Sequence, residues 1–454
     1  MSSLEDLAAE LRTGCRGAID LILDAIARYE ETEGRLNAYR SWAGHRALVQ
    51  AKAVDELLRA GVDLGPLMGI PVSVKDLYGV PGLPVYAGTD TAFPEDWQHA
   101  GPVVTRLLSQ VAIVMGKSHT VEFAFGGLGT NPHCGTPLNP WSSPAAPRVP
   151  GGSSSGAGVS LAQGSALAAL GTDTAGSVRI PASFTGQTAL KVTHGRWSQE
   201  GIVPLSPSFD TPGILARSIA DLSFLFTAID GGDRIPKQDV GGLRLGVVEN
   251  VVWDETDPAV AANTEAALAA LERAGAKVSR AHLRHADDVL DIFRRGGLAA
   301  PELRAFLDGN FPDRIARLDP AVMARVVAAD DVTASEYLQR RAGLERYGLL
   351  AQEAFATVDL LVTPTIAISA PLLADLEDPD AYRTANMLAL RNTAIVNLLG
   401  WCATTLPTGL DGNGIPTGLQ IIAPPHHEER LLAASLGIET VLGAGPDLLG
   451  PPPL

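Results

Sequence analysis

The chain has 454 residues, 46% of them hydrophobic, and it carries a formal net charge of −16 with a pI near 5.0. This much apolar sequence can bury a large core, and the acidic charge argues against nucleic acid or an anionic membrane surface as a partner. The three cysteines, Cys15, Cys134 and Cys402, show neither the pairing of a disulfide framework nor the Cys-x-x-Cys spacing of a zinc site.

The first part of the chain, residues 4–60, is predicted to be helical. Ile19, Ile22, Leu23 and Ile26 follow the spacing of one buried helix face. The acidic N-terminus lacks the basic start and apolar core of a signal peptide, and no apolar run looks long enough to span a bilayer. Together with the few cysteines, these features predict a cytoplasmic protein that has no membrane partner.

A short apolar strand is predicted over about residues 69–75, and it ends at Lys75. Lysine is scarce in this chain, with six lysines against 29 arginines, and Lys75 follows apolar strand residues, so we expect it to be buried. Burial disfavours the charged form of a lysine and lowers its pKa, which makes the neutral amine available as a base.

Two runs of small residues lie beyond this strand. Residues 103–117 are predicted to form a helix and then a strand, and residues 131–150, rich in Pro, Asn and Ser, are predicted to be loop. The first run is Gly151-Gly152-Ser153-Ser154-Ser155-Gly156. The second is Gly171-Thr172-Asp173-Thr174-Ala175-Gly176-Ser177-Val178-Arg179.

The rest of the chain alternates strands and helices. Strands are predicted at 243–249, 358–366, 404–407 and 418–422, helices at 258–275 and 320–357, and a poorly ordered Pro/Gly-rich tail at 445–454. Because the chain shows no internal repeat and no clean linker, this pattern favours one α/β domain.

Lys75 and the two small-residue runs, in this order, resemble the amidase signature family, whose members hydrolyse amides with a Ser–Ser–Lys triad. The two serines of the match are separated by 24 residues, which is the family's spacing. The resemblance runs from about residue 5 to 435. It implies a single amidase domain whose large twisted mixed β-sheet is covered by helices on both faces, with a signature core at about 69–217 and a variable helical pocket region at about 286–400.

The resemblance also implies roles for individual residues. Ser177 corresponds to the acyl-enzyme nucleophile, Ser153 to a bridging serine held in a cis peptide bond, and Lys75 to the general base. Substrates of the family contact the backbone that here is Gly126 and Gly127. The backbone N–H groups implied as the oxyanion hole are those of Thr174, Ala175, Gly176 and Ser177. No metal or organic cofactor is implied.

Other interpretations of the same residues stay open. Gly152–Gly156 matches the Gly-x-Ser-x-Gly elbow of α/β-hydrolases, but that elbow needs a preceding strand, and the preceding residues are Pro-rich. Arg179 is either a substrate-carboxylate ligand or part of a structural ion pair. Two His/acid groups are either metal ligands or, as we favour, solvated helix faces: His282, His285, Asp287 and Asp288; and His426, His427, Glu428 and Glu429.

The function that we favour is a stand-alone amidase for small or aryl amides, with ester and carbamate hydrolysis as further activities of the same site. One alternative is the amidase subunit of a tRNA-dependent amidotransferase, and another is a non-catalytic member of the family. Pocket walls are expected from residues 126–134 and parts of 286–400. The substrate's identity and the oligomeric state stay open, with a homodimer as one option.

Overall fold

The computed structural model describes residues 2–454. Its 11 strands all belong to one sheet. The strands are β1 Tyr39–Trp42, β2 Pro71–Lys75, β3 Ile113–Ser118, β4 Ala168–Asp173, β5 Thr188–Lys191, β6 Thr211–Ala216, β7 Arg244–Val248, β8 Lys277–Ala281, β9 Leu360–Pro364, β10 Cys402–Leu410 and β11 Pro416–Ala423. Their order in the sheet is β1-β3-β2-β4-β6-β5-β10-β11-β9-β7-β8. The sheet is mixed: β3, β2 and β4 are parallel neighbours, as are β9, β7 and β8, and the remaining pairs are antiparallel.

Sixteen α-helices surround the sheet within the described residues. They are α1 Leu4–Thr13, α2 Ala18–Leu36, α3 Gly44–Arg59, α4 Pro102–Ser109, α5 Ser155–Gln163, α6 Arg179–Thr185, α7 Ile219–Asp230, α8 Pro258–Arg273, α9 Ala286–Arg294, α10 Ala299–Asn310, α11 Pro312–Ile315, α12 Pro320–Val327, α13 Ala334–Ala351, α14 Pro379–Leu398, α15 Glu428–Leu442 and α16 Gly445–Leu449.

Alternate residues of the central strands pack into different apolar clusters. In β4, Ala168 and Leu170 belong to the cluster that includes α1, α2 and α7, whereas Ala169 belongs to the cluster formed with α5 and α6. Because successive strand side chains point to opposite faces of a sheet, both faces are covered by helices. The mixed α/β sheet with helices on both faces, expected from the resemblance, is therefore confirmed.

The predicted elements match the structure best in the apolar strands. The strands predicted at 69–75, 243–249 and 358–366 are β2, β7 and β9, and the helix predicted at 258–275 is α8. The helical pattern predicted at 320–357 is formed by two helices, α12 and α13, with a break between them. Thr333 begins the second helix by accepting a hydrogen bond from the Glu336 N–H at 3.1 Å.

Two predictions are corrected, and a third is refined. The buried face of α2 is Ala18, Leu21, Ile22 and Ala25, whereas Leu23 is 47% exposed, so the apolar stripe is offset by one residue from the predicted one. Residues 4–60 are not wholly helical, since β1 separates α2 from α3. In the tail predicted to be poorly ordered at 445–454, residues 445–449 form α16, which packs on β10.

One helical stretch, Glu428–Leu449, is long and apolar enough to cross a membrane by length and composition, contrary to the expectation from the sequence. It packs on β10 and β11, and 44% of its most apolar window is buried inside the protein. Its Glu439 carboxylate is buried and accepts the Ile219 N–H at 2.7 Å. These contacts are those of a core helix.

Candidate active site

Lys75 ends β2 at the carboxyl edge of the parallel strands, and its side chain is fully buried. Its Nζ donates hydrogen bonds to Ser153 Oγ at 2.7 Å and to Thr172 Oγ1 at 2.8 Å. Burial lowers the pKa of Lys75 to about 7, against the opposing effect of the Asp173 and Asp210 carboxylates. A large fraction of this amine is therefore neutral near pH 7.

The first small-residue run places Ser153 beside Lys75, and the backbone of this run packs tightly against neighbouring segments. Gly151 has φ +80°, and a Cβ there would lie 2.9 Å from the Pro181 Cα. The Gly152–Ser153 peptide bond is cis, as expected from the resemblance. The Ser153 carbonyl accepts the Val121 N–H at 3.1 Å. Only residues without side chains fit this approach, which explains the glycine pair before the serine.

The second run forms the turn between β4 and α6 that carries Ser177. The Ser154 N–H donates to the Ser177 carbonyl at 3.1 Å, so the two runs are joined by a backbone hydrogen bond. Ser177 is 3% exposed, and its hydroxyl makes no hydrogen bond to another described residue. The Ser153 hydroxyl is held by Lys75, whereas the Ser177 hydroxyl is left available to a ligand.

The backbone donors of this turn differ in their hydrogen bonding. Among the described residues, no partner is found for the N–H groups of Thr174, Ala175 and Ser177. The Gly176 N–H donates to Asp173 Oδ1 at 2.7 Å. Three of the four predicted oxyanion donors are therefore free, and the fourth is already committed.

A buried ion pair fixes this turn to the sheet. The Arg179 guanidinium donates to both Asp173 oxygens, at 3.0 and 2.9 Å, and its other hydrogen bonds go to Asn397 at 2.6 Å and Gln420 at 2.5 Å. Burial raises the pKa of Asp173, but Arg179 outweighs it and brings the pKa to about 2. Since Arg179 is fully buried and every nitrogen is bonded, it is the structural ion pair of the two alternatives, not a substrate ligand.

Thr172 and Asp210 were not singled out by sequence reasoning. Thr172 lies in the second run, and its hydroxyl orients Lys75. Asp210 accepts from the Thr174 hydroxyl at 2.5 Å and from two backbone N–H groups, and burial raises its pKa to about 6. The two residues line a small cavity of about 30 Å³ beside β4 and β6. Position within the motif was a signal for Thr172, but no motif contains Asp210.

Gly127 lies against the first run, and Gly126 lies beside Tyr382. The Gly127 carbonyl accepts the Gly152 N–H at 2.8 Å, and the Gly127 N–H donates to Asn386 Oδ1 at 2.8 Å. A Cβ on Gly126 would lie 3.1 Å from the Tyr382 hydroxyl. The structure therefore brings Gly127 next to Gly152, and both predicted glycines face helix α14.

The structure also decides between the alternative interpretations of the other motifs. No strand precedes Gly152, so the α/β-hydrolase elbow is excluded. No group of three or more His, Cys, Asp or Glu side chains that could hold a metal ion occurs in residues 2–454. His282 and Asp288 are exposed as favoured, but Glu428 is not solvated: it is fully buried and bonded to the Thr193 N–H and to Arg196.

Comparison with known proteins places the chain in one family. The amidase family profile matches residues 20–432, and the chain belongs to this family. It is 57% identical to the 2-amino-5-chloromuconic acid deaminase of Comamonas testosteroni, over 100% of this chain and 98% of that protein. It is 32% identical to a glutamyl-tRNA(Gln) amidotransferase subunit from Desulforudis audaxviator, over 91% of this chain and 90% of that protein.

Solved structures agree with this assignment. A crystal structure of an amidase superposes with a TM-score of 0.88 at 30% identity, covering 97% of this chain and all of that chain. The native peptide amidase of Stenotrophomonas maltophilia gives a TM-score of 0.83 at 26% identity, covering 99% of this chain and 98% of that chain. The protein is an amidase-type hydrolase that acts on C–N bonds, and the non-catalytic alternative is set aside.

Proposed function

We propose that this amidase cleaves its C–N bond through Ser177 as nucleophile, Ser153 as proton bridge and Lys75 as base. The observation that carries the proposal is the 2.7 Å contact between Lys75 Nζ and Ser153 Oγ, made by a buried lysine whose pKa is lowered to about 7. A neutral Lys75 amine still has N–H groups, one of which donates to the Thr172 hydroxyl, while the nitrogen lone pair faces the Ser153 hydroxyl. It can then accept the Ser153 proton while Ser153 accepts the proton of Ser177.

The free N–H groups of the turn supply electrostatic stabilisation in this proposal. Thr174, Ala175 and Ser177 donate to the negative charge that develops when Ser177 adds to the substrate. Gly176, the fourth predicted donor, contributes through its conformation, because its N–H is held by Asp173. The proton then returns through Ser153 to the leaving nitrogen, and water releases the product from Ser177. No step uses a metal or an organic cofactor.

The 57% identical deaminase, whose alignment covers the whole of this chain, supports a proposal for the substrate class. We propose a small unsaturated 2-amino dicarboxylic acid, related to the compound in that protein's name. Ser177 adds to the C=N carbon of the imine tautomer, the protonated nitrogen leaves as ammonia, and water replaces the serine oxygen to give a 2-oxo acid or its enol. The net reaction is substrate plus water to 2-hydroxy-dienoic diacid plus ammonia.

Release of ammonia tests the proposal. Purified protein is mixed with 2-aminomuconate and, separately, with a panel of p-nitroanilides, p-nitrophenyl esters and aryl carbamates. We expect ammonia from the amino diacid with the wild type and none with Ser177→Ala. Turnover of aryl amides alone would keep the relay and overturn the diacid assignment, whereas equal ammonia release by Ser177→Ala would overturn the nucleophile.

A role in an amidotransferase complex has a weaker basis, because those relatives are 29–32% identical. Co-purification of partner subunits from the source cell would favour it. The cytoplasmic location, the absence of nucleic-acid and membrane partners, and a homodimer stay predictions of the sequence.

A further inference from the structure

Arg325 is a half-buried cation without a carboxylate partner in the described residues, and it lies beside the predicted substrate contact Gly126. One guanidinium nitrogen donates to the Phe125 carbonyl, and another lies 3.5 Å from the Tyr382 hydroxyl. A Cβ on Gly126 would lie 3.7 Å from Arg325 Nη1 and 3.1 Å from the Tyr382 hydroxyl. The Arg325 Nε makes no hydrogen bond to a described residue.

The position of Arg325 is fixed by its surroundings. Val322 and Val326 bury one face of α12 in an apolar cluster, and Arg325 projects beside them. Its Cζ lies 5.1 Å from the centre of the Phe125 ring and 5.8 Å from the centre of the Tyr382 ring. Two aromatic rings at cation–π distance hold the guanidinium in place without neutralising its charge.

Helix α14 links this cation to the nucleophile turn. Three residues on one face of this helix contact the backbone of the site. Tyr382 faces Gly126, and Asn386 accepts the Gly127 N–H. Further along, Thr393 donates to the Ala175 carbonyl at 2.7 Å. Thr393 lies about 16 Å beyond Tyr382 along the axis, at about 1.5 Å per residue. Arg325 therefore lies near the Tyr382 end of this helix face, whereas the turn that carries Ser177 is contacted by Thr393.

We propose that Arg325, oriented by Tyr382, binds the carboxylate of the substrate that is remote from the reacting carbon. This inference rests on the proposed function and names the feature of the substrate that selects it. An arginine offers a planar fork of N–H donors that matches a carboxylate. A protein with a net charge of −16 needs such a local cation to hold a dianion. Arg179 does not serve this purpose, because all its nitrogens are bonded within the protein.

The test measures binding of cis,cis-muconate, a dicarboxylate without the amino group, by calorimetry on the intact protein. We expect Arg325→Met to weaken binding by about 10- to 100-fold, the range of a charged hydrogen-bonded pair. Arg325→Lys should recover part of the loss, and Tyr382→Phe should weaken binding less than Arg325→Met. The matched control is Arg383→Met, which removes an exposed arginine one residue along α14 from Tyr382. It should bind muconate as the wild type does.

A second arm, run in the Ser177→Ala background so that the compound is not turned over, uses the 6-methyl ester of 2-aminomuconate, a half-ester whose amino group marks the reacting end and whose remote carboxylate is esterified. Arg325→Met should leave binding of this half-ester unchanged. The inference is overturned if the wild type does not bind muconate, or if Arg325→Met binds muconate as tightly as Arg383→Met. It is also overturned if Arg325→Met weakens the diacid and the half-ester equally. Circular dichroism and the thermal midpoint of each variant check that the fold is retained.

The failure of this inference is distinguishable from the failure of the proposed function. Modification of Ser177 by a neutral p-nitrophenyl ester reports on the relay alone, and it is measured in the wild type and in the control Arg383→Met, in which it should be equal. If the ester modifies neither protein, the relay is wrong, yet the binding of muconate still decides the role of Arg325.

Discussion

At the scale of single residues, the proposed chemistry depends on the protonation of Lys75. The rate is expected to follow the neutral amine, so activity should be high above pH 7 and fall as the pH drops through the pKa of about 7. A pH–rate profile between about pH 5 and 9, with chemistry rate-limiting, measures this. Lys75→Ala should be nearly inactive at every pH.

The fall in rate at low pH, the acid limb of the profile, must be assigned either to Lys75 or to Asp210. Asp210 is a candidate because burial raises its pKa to about 6. If Lys75 is its source, Asp210→Asn should keep the limb but move it to lower pH, because the Asp210 carboxylate raises the pKa of Lys75. A flat profile in the wild type would contradict a lysine base, and loss of the limb in Asp210→Asn would assign it to the carboxyl group.

Thr172 gives a second prediction at this scale. Thr172→Val keeps the shape of the side chain but removes the oxygen that accepts from Lys75 at 2.8 Å. A hydrogen bond to the charged amine favours that form, so its loss should lower the pKa of Lys75 further and move the acid limb to lower pH. The rate on the plateau should fall about 10-fold because Lys75 is less well oriented. An unchanged limb position would show that Thr172 has a merely structural role.

At the scale of elements, the turn between β4 and α6 is packed against α14. A Cβ on Gly176, whose φ is +132°, would lie 2.1 Å from Thr393 Oγ1 and 2.6 Å from the Thr393 Cβ. Gly176→Ala must therefore push α14 away from the nucleophile turn. We expect activity to fall at least about 100-fold, since small misplacements in a catalytic site are costly.

The matched control for this substitution is Gly195→Ala. Gly195 also has a positive φ, of +81°, but nothing lies within 4 Å of its Cβ position. Gly195→Ala should lose about 1 kcal/mol of stability, because alanine is strained at this positive φ, and the variant should keep its activity. Equal kinetic losses in both variants would contradict the role of the close contact.

The Asp173–Arg179 pair connects β4 to α6 and gives a prediction on stability. Arg179→Met leaves the Asp173 carboxylate buried without its partner, which should cost about 3–5 kcal/mol of the free energy of unfolding. Urea unfolding measures the loss. The control Arg383→Met removes an arginine that is 77% exposed and paired with Asp380, and it should change the stability by no more than about 0.5 kcal/mol. Similar losses in the two variants would contradict the structural role of the buried pair.

At the scale of the whole molecule, the sequence predicts the buried strands and the serine motifs well. Strands such as β2 and β9 are short, largely apolar and fully buried, and Ser153 and Ser177 stand in runs whose glycines leave no room for side chains. Other elements carry no such signal. β1 has four residues of mixed polarity, and β8 is largely exposed, so neither shows the pattern of a core strand.

The remaining features of the site depend on tertiary contacts between distant segments. Arg325 and Tyr382 meet Gly126 from two helices about 200 residues and more along the chain, and no local spacing indicates that. The hydrogen bond from the Gly176 N–H to Asp173 likewise depends on the backbone conformation of the turn, which the residue types alone do not indicate. The sequence therefore predicts the reacting groups but not the groups that position them or the substrate.

The central claim is that Ser177 is the nucleophile of this amidase. Intact-protein mass spectrometry after brief exposure to p-nitrophenyl esters and aryl carbamates tests it most directly, with the wild type, Ser177→Ala and Ser155→Ala compared. Ser155 is the control because its buried hydroxyl has no hydrogen-bond partner in the described residues and no role in the relay. The account predicts an acyl or carbamoyl adduct on the wild type and on Ser155→Ala and none on Ser177→Ala. An adduct of equal yield on Ser177→Ala would contradict it.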